Sequence, residues 1–125
     1  MRILLDTHVF LWCLTDDKQL SKEARKRILD ATEVFVSSAS IWEAAIKIKI
    51  KKLDADINEL ANAILENGFL ELPIYVKHTS FSCTLPLYHR DPFDRILLAQ
   101  AMSEPLRFLT ADARLKKYSE LVDLI

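Results

Sequence analysis

Short apolar runs alternate with segments of helical periodicity along this chain, and no other feature constrains the fold as tightly. Arg2–Leu5, Glu33–Ser37, Phe69–Ile74 and Arg107–Thr110 are rich in Ile, Val, Leu and Phe. Each is too short to make a helix worth burying, and β-branched and aromatic residues favour a pleated, half-buried strand. Leu121–Leu124 is a shorter candidate for a fifth strand. Alternation of this kind marks βα units around a mainly parallel sheet. The expectation is therefore one α/β domain over residues 1–125, with four to five strands flanked by helices. Pro73 places the third run at a sheet edge, because proline cannot donate to a central ladder.

The intervening segments have the spacing of helices. Thr7–Leu14 is apolar nearly all round. Ser21 can cap a second helix to about Asp30. Ile41, Ala44, Ala45 and Ile48 recur at i, i+3, i+4 and i+7, predicting a helix from Ser40 to about Ile50. Ile57, Leu60, Ala61, Ile64 and Leu65 form an apolar stripe, with Asp54 or Asp56 available as N-cap and Gly68, the sole glycine, where a C′ residue belongs. Tyr75–Leu87 suggests a short helix and a loop. Asp91-Pro92 opens a helix through about Met102, and Ala113–Lys117 reads as a short last helix. Lys47–Leu53 is ambiguous, since its alternation has period two although it continues a helix.

Half the residues are hydrophobic and 28% are charged, which is ordinary for a globular protein and excludes disorder. No apolar run approaches the roughly 20 residues a membrane-spanning helix needs. The opening Met1–Asp6 is too short and too soon interrupted by an acid for a secretory leader. Cys13 and Cys83 form no C-x-x-C pair and read as buried free thiols, which suits the cytoplasm. The formal net charge is −1 and does not itself announce a nucleic-acid binder.

The acids carry more information than their number. Ligands of an open parallel sheet bind beyond the carboxyl ends of the strands. Asp6 directly follows the first strand. Glu43 lies in the first turn of the helix after the second. Asp94 lies in the first turn of the helix after the Tyr75–Arg90 crossover, and Asp112 is two residues past the fourth strand. All four fall on one rim. Neighbouring carboxylates raise one another's pKa, and a hard divalent cation removes that cost. With these four set aside, 14 acidic side chains face 17 basic ones, a mildly basic remainder of +3 around an acidic pit. His8, His78 and His89 lack zinc-type spacing.

Each acid also has a structural reading. Ser40-x-x-Glu43 is a capping box, and Glu43 pairs with Lys47 at i+4. Asp91 before Pro92 is an N-cap, which puts Asp94 at N3 where the helix dipole favours it. Asp112 can cap the last short helix. Asp6 resists such treatment, because a lone carboxylate buried at a strand end needs a partner.

The opening I-L-L-D-T-H-V-F-L-W, the central S-S-A-S-I-W-E-A-A-I-K, the late L-P-L-Y-H-R-D-P-F-D-R-I-L-L-A-Q-A and the final F-L-T-A-D together resemble a PIN-domain protein of the VapC toxin type. The blocks span nearly the whole chain in the right order. The resemblance implies a PIN-like three-layer sandwich and an endoribonuclease of a toxin–antitoxin pair. It implies a homodimer, silenced by a VapB-like antitoxin whose tail occupies the active-site groove. Asp6, Glu43, Asp94 and Asp112 match the family acids in that order. Thr110 resembles the hydroxyl residue supporting the first acid, and Asp91 is an extra acid beside the third. Relatives often carry a glycine near Lys51-Lys52-Leu53, and this chain has none there.

The expected chemistry is Mg²⁺- or Mn²⁺-assisted phosphodiester hydrolysis. Asp6, Asp94 and Asp112 hold the cation and Glu43 binds it or orients water, giving 5′-phosphate and 3′-hydroxyl ends. Lys47, Lys51, Arg90 and Arg95 are candidate phosphate contacts. Tyr88 and His89 are candidate base-stacking residues, while Trp12, Trp42 and Phe93 read as core or interface. An aspartyl-nucleophile phosphatase needs a second Asp where this chain has His8. A phospho-receiver needs an Asp ending strand three, where Leu72-Pro73-Ile74 stands. A non-enzymatic PIN-like binding module is the remaining alternative.

Overall fold

The computed structural model describes residues 1–125 and contains five strands, all parallel, in the order β3-β2-β1-β4-β5. The strands are β1 (Arg2–Leu5), β2 (Glu33–Ser37), β3 (Leu70–Leu72), β4 (Arg107–Thr110) and β5 (Val122–Leu124). Helices α1 (Thr7–Thr15), α2 (Lys22–Asp30), α3 (Ser38–Lys49), α4 (Ile57–Glu66), α5 (Val76–Phe81) and α6 (Pro92–Ser103) connect them, with 3-10 turns at Ser82–Thr84 and Ala113–Tyr118. The α/β class and the parallel sheet agree with the sequence reading, as does the edge position of β3.

The alternation of side chains along the strands divides the interior in two. Ile3, Leu5 and Leu109 face one side, where Val9 and Phe10 of α1, Ala24 and Ile28 of α2 and Ile64 of α4 cover them. Leu4 and Phe108 face the other side, against Leu97, Leu98 and Ala101 of α6. A sheet buried on both faces needs near-continuous apolar strands, which is why Ile3-Leu4-Leu5 has no polar alternation.

Caps decide where the helices start and stop. Ser21 and Asp56 accept from Ala24 N–H at 3.1 Å and Glu59 N–H at 3.0 Å, which settles the choice between Asp54 and Asp56. Gly68 lies at φ +75°, with Phe69 N–H on Ile64 C=O and Gly68 N–H on Leu65 C=O; this is a Schellman ending. Helix α3 differs from expectation at its start. Ser37 caps it, accepting from Ala39 N–H at 3.0 Å, so Ser40 lies inside the helix and forms no capping box with Glu43. Ser40 Oγ instead accepts from Thr7 Oγ1 at 2.9 Å, tying α3 to α1.

The end of α3 shows what the missing glycine does. Lys52 N–H bonds Lys47 C=O and Lys51 N–H bonds Ile48 C=O, so the helix closes with the same Schellman pattern. The residue required in the left-handed conformation is Lys51, at φ +62°. A Cβ at that φ is strained. Lys51→Gly is expected to stabilise the fold by roughly 0.5–1 kcal/mol, after allowance for the freer unfolded chain. A higher urea midpoint at unchanged slope checks it, and a lower midpoint refutes it.

Two thiols also depart from expectation. Cys13 is half-buried and Cys83 is exposed, because the 3-10 turn carrying Cys83 runs over the surface.

Candidate active site

The site forms where the order of connections reverses. From β1 the chain moves to β2 on one side. From β3 it crosses back, through α5 and α6, to β4 on the other. The carboxyl ends of β1 and β4 are therefore neighbours at a switch point, where the diverging connections leave a crevice. Asp6 N–H bonds Leu109 C=O at 2.9 Å, extending the β1–β4 ladder into the crevice itself.

Asp6 is held from both sides. Its Oδ1 accepts from Thr7 N–H at 2.7 Å, capping α1, and its Oδ2 accepts from Thr110 Oγ1 at 2.6 Å. The Thr110 hydroxyl also accepts from Asp112 N–H at 3.1 Å, so one buried hydroxyl orients two acid-bearing segments. Burial pushes the Asp6 carboxyl above its ordinary value, and the hydrogen bonds from Thr110 and Thr7 only partly oppose that. Glu43 is 8% exposed, one helical turn beyond Ser40, and Lys47 Nζ lies 3.0 Å from its Oε2.

Asp94 stands in the first turn of α6. Asp91 caps that helix, accepting from Phe93 N–H at 2.8 Å and Asp94 N–H at 3.1 Å, as its place before Pro92 suggested. Asp94 Oδ2 is 2.7 Å from His89 Nε2. Burial, then the charge of Asp6, pushes the Asp94 carboxyl up to about 6, against the opposing bond from His89. Asp112 accepts from the Arg114 guanidinium at 2.7 and 3.0 Å, and that bond holds its carboxyl below the usual range.

These groups line one cleft of about 480 Å³. Its walls hold Asp6, Glu43, Asp94, Asp112 and Asp91 together with His8, Trp12, Lys47, His89 and Arg114. Distant segments thus bring all four sequence-selected acids together. The donor set suits a hard divalent cation: carboxylate oxygens dominate, and two of the acids are costly to ionise as neighbours. Ligand atoms of His89, Asp94 and Asp112 lie within 4.8 Å of one another. One ion with bonds of about 2.1 Å spans about 4.2 Å between opposite ligands, so Asp94 and Asp112 need little movement to share one.

The basic candidates separate. Lys47 lines the cleft. Lys51 does not, because the left-handed turn at its own position takes it off the α3 stripe. Arg90 is exposed and faces a neighbouring apolar groove with Trp42, Phe93 and Ile96. Arg95 does not line the cleft: its guanidinium donates to the carbonyls of Ser82, Leu85, Pro86 and His89, at 2.8 to 3.2 Å, and clamps the loop. The His89 ring has its Nε2 on Asp94 Oδ2 at 2.7 Å and is 10% exposed, which leaves little surface for a base to stack on. Tyr88 is exposed but tilts against Tyr118, with centroids 5.1 Å apart. Trp42, assigned to core or interface, is 61% exposed and rests edge-on against Phe93.

His8, Trp12 and Arg114 also line the cleft, although the sequence reading does not select them for it. For two of them position carries a signal: His8 is two residues beyond Asp6, and Arg114 two beyond Asp112. No sequence signal points to His78. It is fully buried, accepts from Tyr75 N–H at Nδ1 (3.0 Å) and therefore donates from Nε2 to Glu104 (2.6 Å), locking α5 onto α6.

A parallel sheet with four convergent acids at its switch point defines an α/β domain of the carboxylate-cleft class. The PIN domain family model matches residues 3–121, and the chain belongs to that family. Ribonuclease VapC22 of Mycobacterium tuberculosis is 28% identical over 123 residues, covering 93% of this chain and 91% of that protein. Two solved structures share the fold. VapBC2 from Rickettsia felis, bound to a DNA fragment from its promoter, aligns with a TM-score of 0.74 at 13% identity over 100% of this chain and 98% of that one. A toxin–antitoxin complex from Klebsiella pneumoniae aligns at 0.66 with 18% identity, over 97% and 95%. No helix is long and apolar enough to cross a membrane.

Proposed function

We propose that this protein is the toxin ribonuclease of a toxin–antitoxin pair, hydrolysing RNA phosphodiester bonds with Mg²⁺ or Mn²⁺. The observation that carries the reading is the convergence of Asp6, Glu43, Asp94 and Asp112 on one cleft. Membership of the PIN family and the ribonuclease name of the Mycobacterium relative support it.

Asp6, Asp94 and Asp112 would hold the cation, and Thr110 fixes the first of them. A bound ion would lower the pKa of water and offset charge on the leaving oxygen. Glu43, on the adjacent wall, accepts a hydrogen bond from the attacking water and so orients the lone pair of the water oxygen toward phosphorus. Lys47 and Arg114 sit on the rim, each on a carboxylate, and a backbone phosphate competes for them. Attack by water with departure of the 3′-oxygen leaves 5′-phosphate and 3′-hydroxyl ends. Asp91 acts as the helix cap that sets Asp94.

The partner assignments rest on surface chemistry and on relatives. The apolar groove lined by Trp42, Ile46, Ile74, Phe93 and Ile96 is suited to a protein chain. The Klebsiella structure is of a toxin with its antitoxin. A VapB-like antitoxin and a second copy of this chain are the expected partners, in the cytoplasm.

Purified protein incubated with defined RNAs tests the reading. Cleavage in Mn²⁺ or Mg²⁺, with 5′-phosphate products and loss of activity in excess EDTA, is the expected result. Undiminished cleavage in EDTA overturns the metal reading.

A further inference from the structure

His89, the partner of Asp94, is not one of the four acids, and the loop that carries it is held by a network of hydrogen bonds. Asp94 and Arg95 are adjacent in the first turn of α6. Arg95 turns back to gather the carbonyls of Ser82, Leu85, Pro86 and His89. Tyr118 completes the clamp: its hydroxyl accepts from His89 N–H at 2.8 Å and donates to Pro86 C=O at 2.8 Å. The loop that precedes α6 is thereby folded onto the helix it leads into. This arrangement delivers the His89 side chain to the cleft, 10% exposed and with Nε2 at 2.7 Å from Asp94 Oδ2.

We propose that His89 is a positioning residue for cation binding, donating Nε2–H to Asp94 Oδ2 so that the carboxylate presents its remaining lone pairs to the ion. The inference rests on the metal reading above. A carboxylate in the first turn of a helix has rotamers that swing it out of the cleft, and Asp6 repels it toward them. A fixed donor on one oxygen selects the inward rotamer before the ion arrives. Nε2 lies against a carboxylate oxygen at the length of a charge-assisted hydrogen bond, so its proton has an acceptor in place. Imidazoles that ligate an ion through Nε2 usually have Nδ1–H held by a carboxylate or carbonyl. The His89 ring has one hydrogen bond, from Nε2 to Asp94, so the geometry favours the donor role over direct ligation. Groups that orient a ligating carboxylate in this way are typically worth about 10–100-fold in metal affinity.

Mn²⁺ binding, measured by calorimetry and by the electron paramagnetic resonance signal of free Mn²⁺, tests this in the absence of RNA. His89→Ala should weaken binding about 10–100-fold while the circular dichroism spectrum is retained. His89→Gln, whose amide offers an N–H donor without an imidazole lone pair, should recover most of the loss. Equal weakening in the two variants would make the imidazole a ligand and overturn the positioning role. Unchanged binding in His89→Ala would reject any role for the residue in holding the ion. Failure of the unsubstituted protein to bind Mn²⁺, or binding that survives Asp94→Asn undiminished, would instead remove the metal reading, and this inference with it.

Discussion

RNA cleavage by Asp6→Asn is expected to fall by at least about a thousandfold, equivalent to about 4 kcal/mol of lost transition-state stabilisation. The substitution keeps the shape of the side chain and one acceptor oxygen, so either Thr7 N–H or Thr110 Oγ1 retains a partner. It removes the charge at the centre of the cleft, where β1 and β4 meet. Burial already makes the Asp6 carboxylate costly to ionise, so the neutral amide should not destabilise the metal-free fold. Loss of activity with a thermal midpoint within a few degrees of the parent, and loss of Mn²⁺ binding, is the full expected pattern. Full activity in this variant would place the chemistry elsewhere. Unfolding would show that Asp6 serves as a structural cap before anything else.

The second large effect is the coupling of stability to pH and to the cation. Asp94 has its carboxyl raised from 3.8 to about 6, by burial and then by the charge of Asp6. An acid whose folded value lies above its unfolded value binds its proton more tightly in the native state. Its stabilising contribution is complete below about 4 and is lost as pH rises through 6. Asp112 and Asp123, lowered by Arg114 and by Arg107, act in the opposite sense, and their contributions disappear only on strong acidification. In EDTA the protein should therefore lose stability between pH 5 and pH 7, by on the order of 1 kcal/mol once solvent screening is allowed for. A cation at 100 times its dissociation constant adds about 2.7 kcal/mol. For a chain of this length that raises the midpoint by roughly 10 °C. The rise should be larger at pH 7 than at pH 5, because a protonated Asp94 competes with the ion. Calorimetric scans at the two pH values, with and without Mn²⁺, provide the check. An equal midpoint shift at both would mean that Asp94 does not meet the ion.

Both predictions depend on residues visible in the chain before it folds, and the extent of that visibility has a physical basis. Ile3-Leu4-Leu5 followed by Asp6 is a local pattern: a buried strand ends, and a charge stands where the sheet opens. Thr110 and Asp112 repeat it beyond Arg107-Phe108-Leu109. Asp91-Pro92 states its own cap, and Gly68 its own helix end. Features of this kind need only backbone preference and the alternation of apolar residues, both of which act over a few positions. The grouping of the four acids was also legible, because a parallel sheet puts every strand-to-helix junction on the same rim.

What the sequence could not show are the roles decided by contacts between loops. In sequence Arg95 reads as a phosphate contact, whereas its guanidinium lies among four carbonyls of the preceding loop. In sequence His89 reads as a stacking platform, whereas its ring edge is bonded to Asp94. Ser40 resembled a cap, yet Ser37 started the helix earlier and left Ser40 free to bind Thr7. The left-handed Lys51 looked like the continuation of a stripe. The sequence by itself determined the α/β class, the parallel sheet and the acids of the cleft, since apolar periodicity and short-range caps encode them. Tertiary structure alone decided which donor meets which acceptor across the cleft, because a long polar side chain reaches several angstroms in many directions, and only the packed backbone selects one.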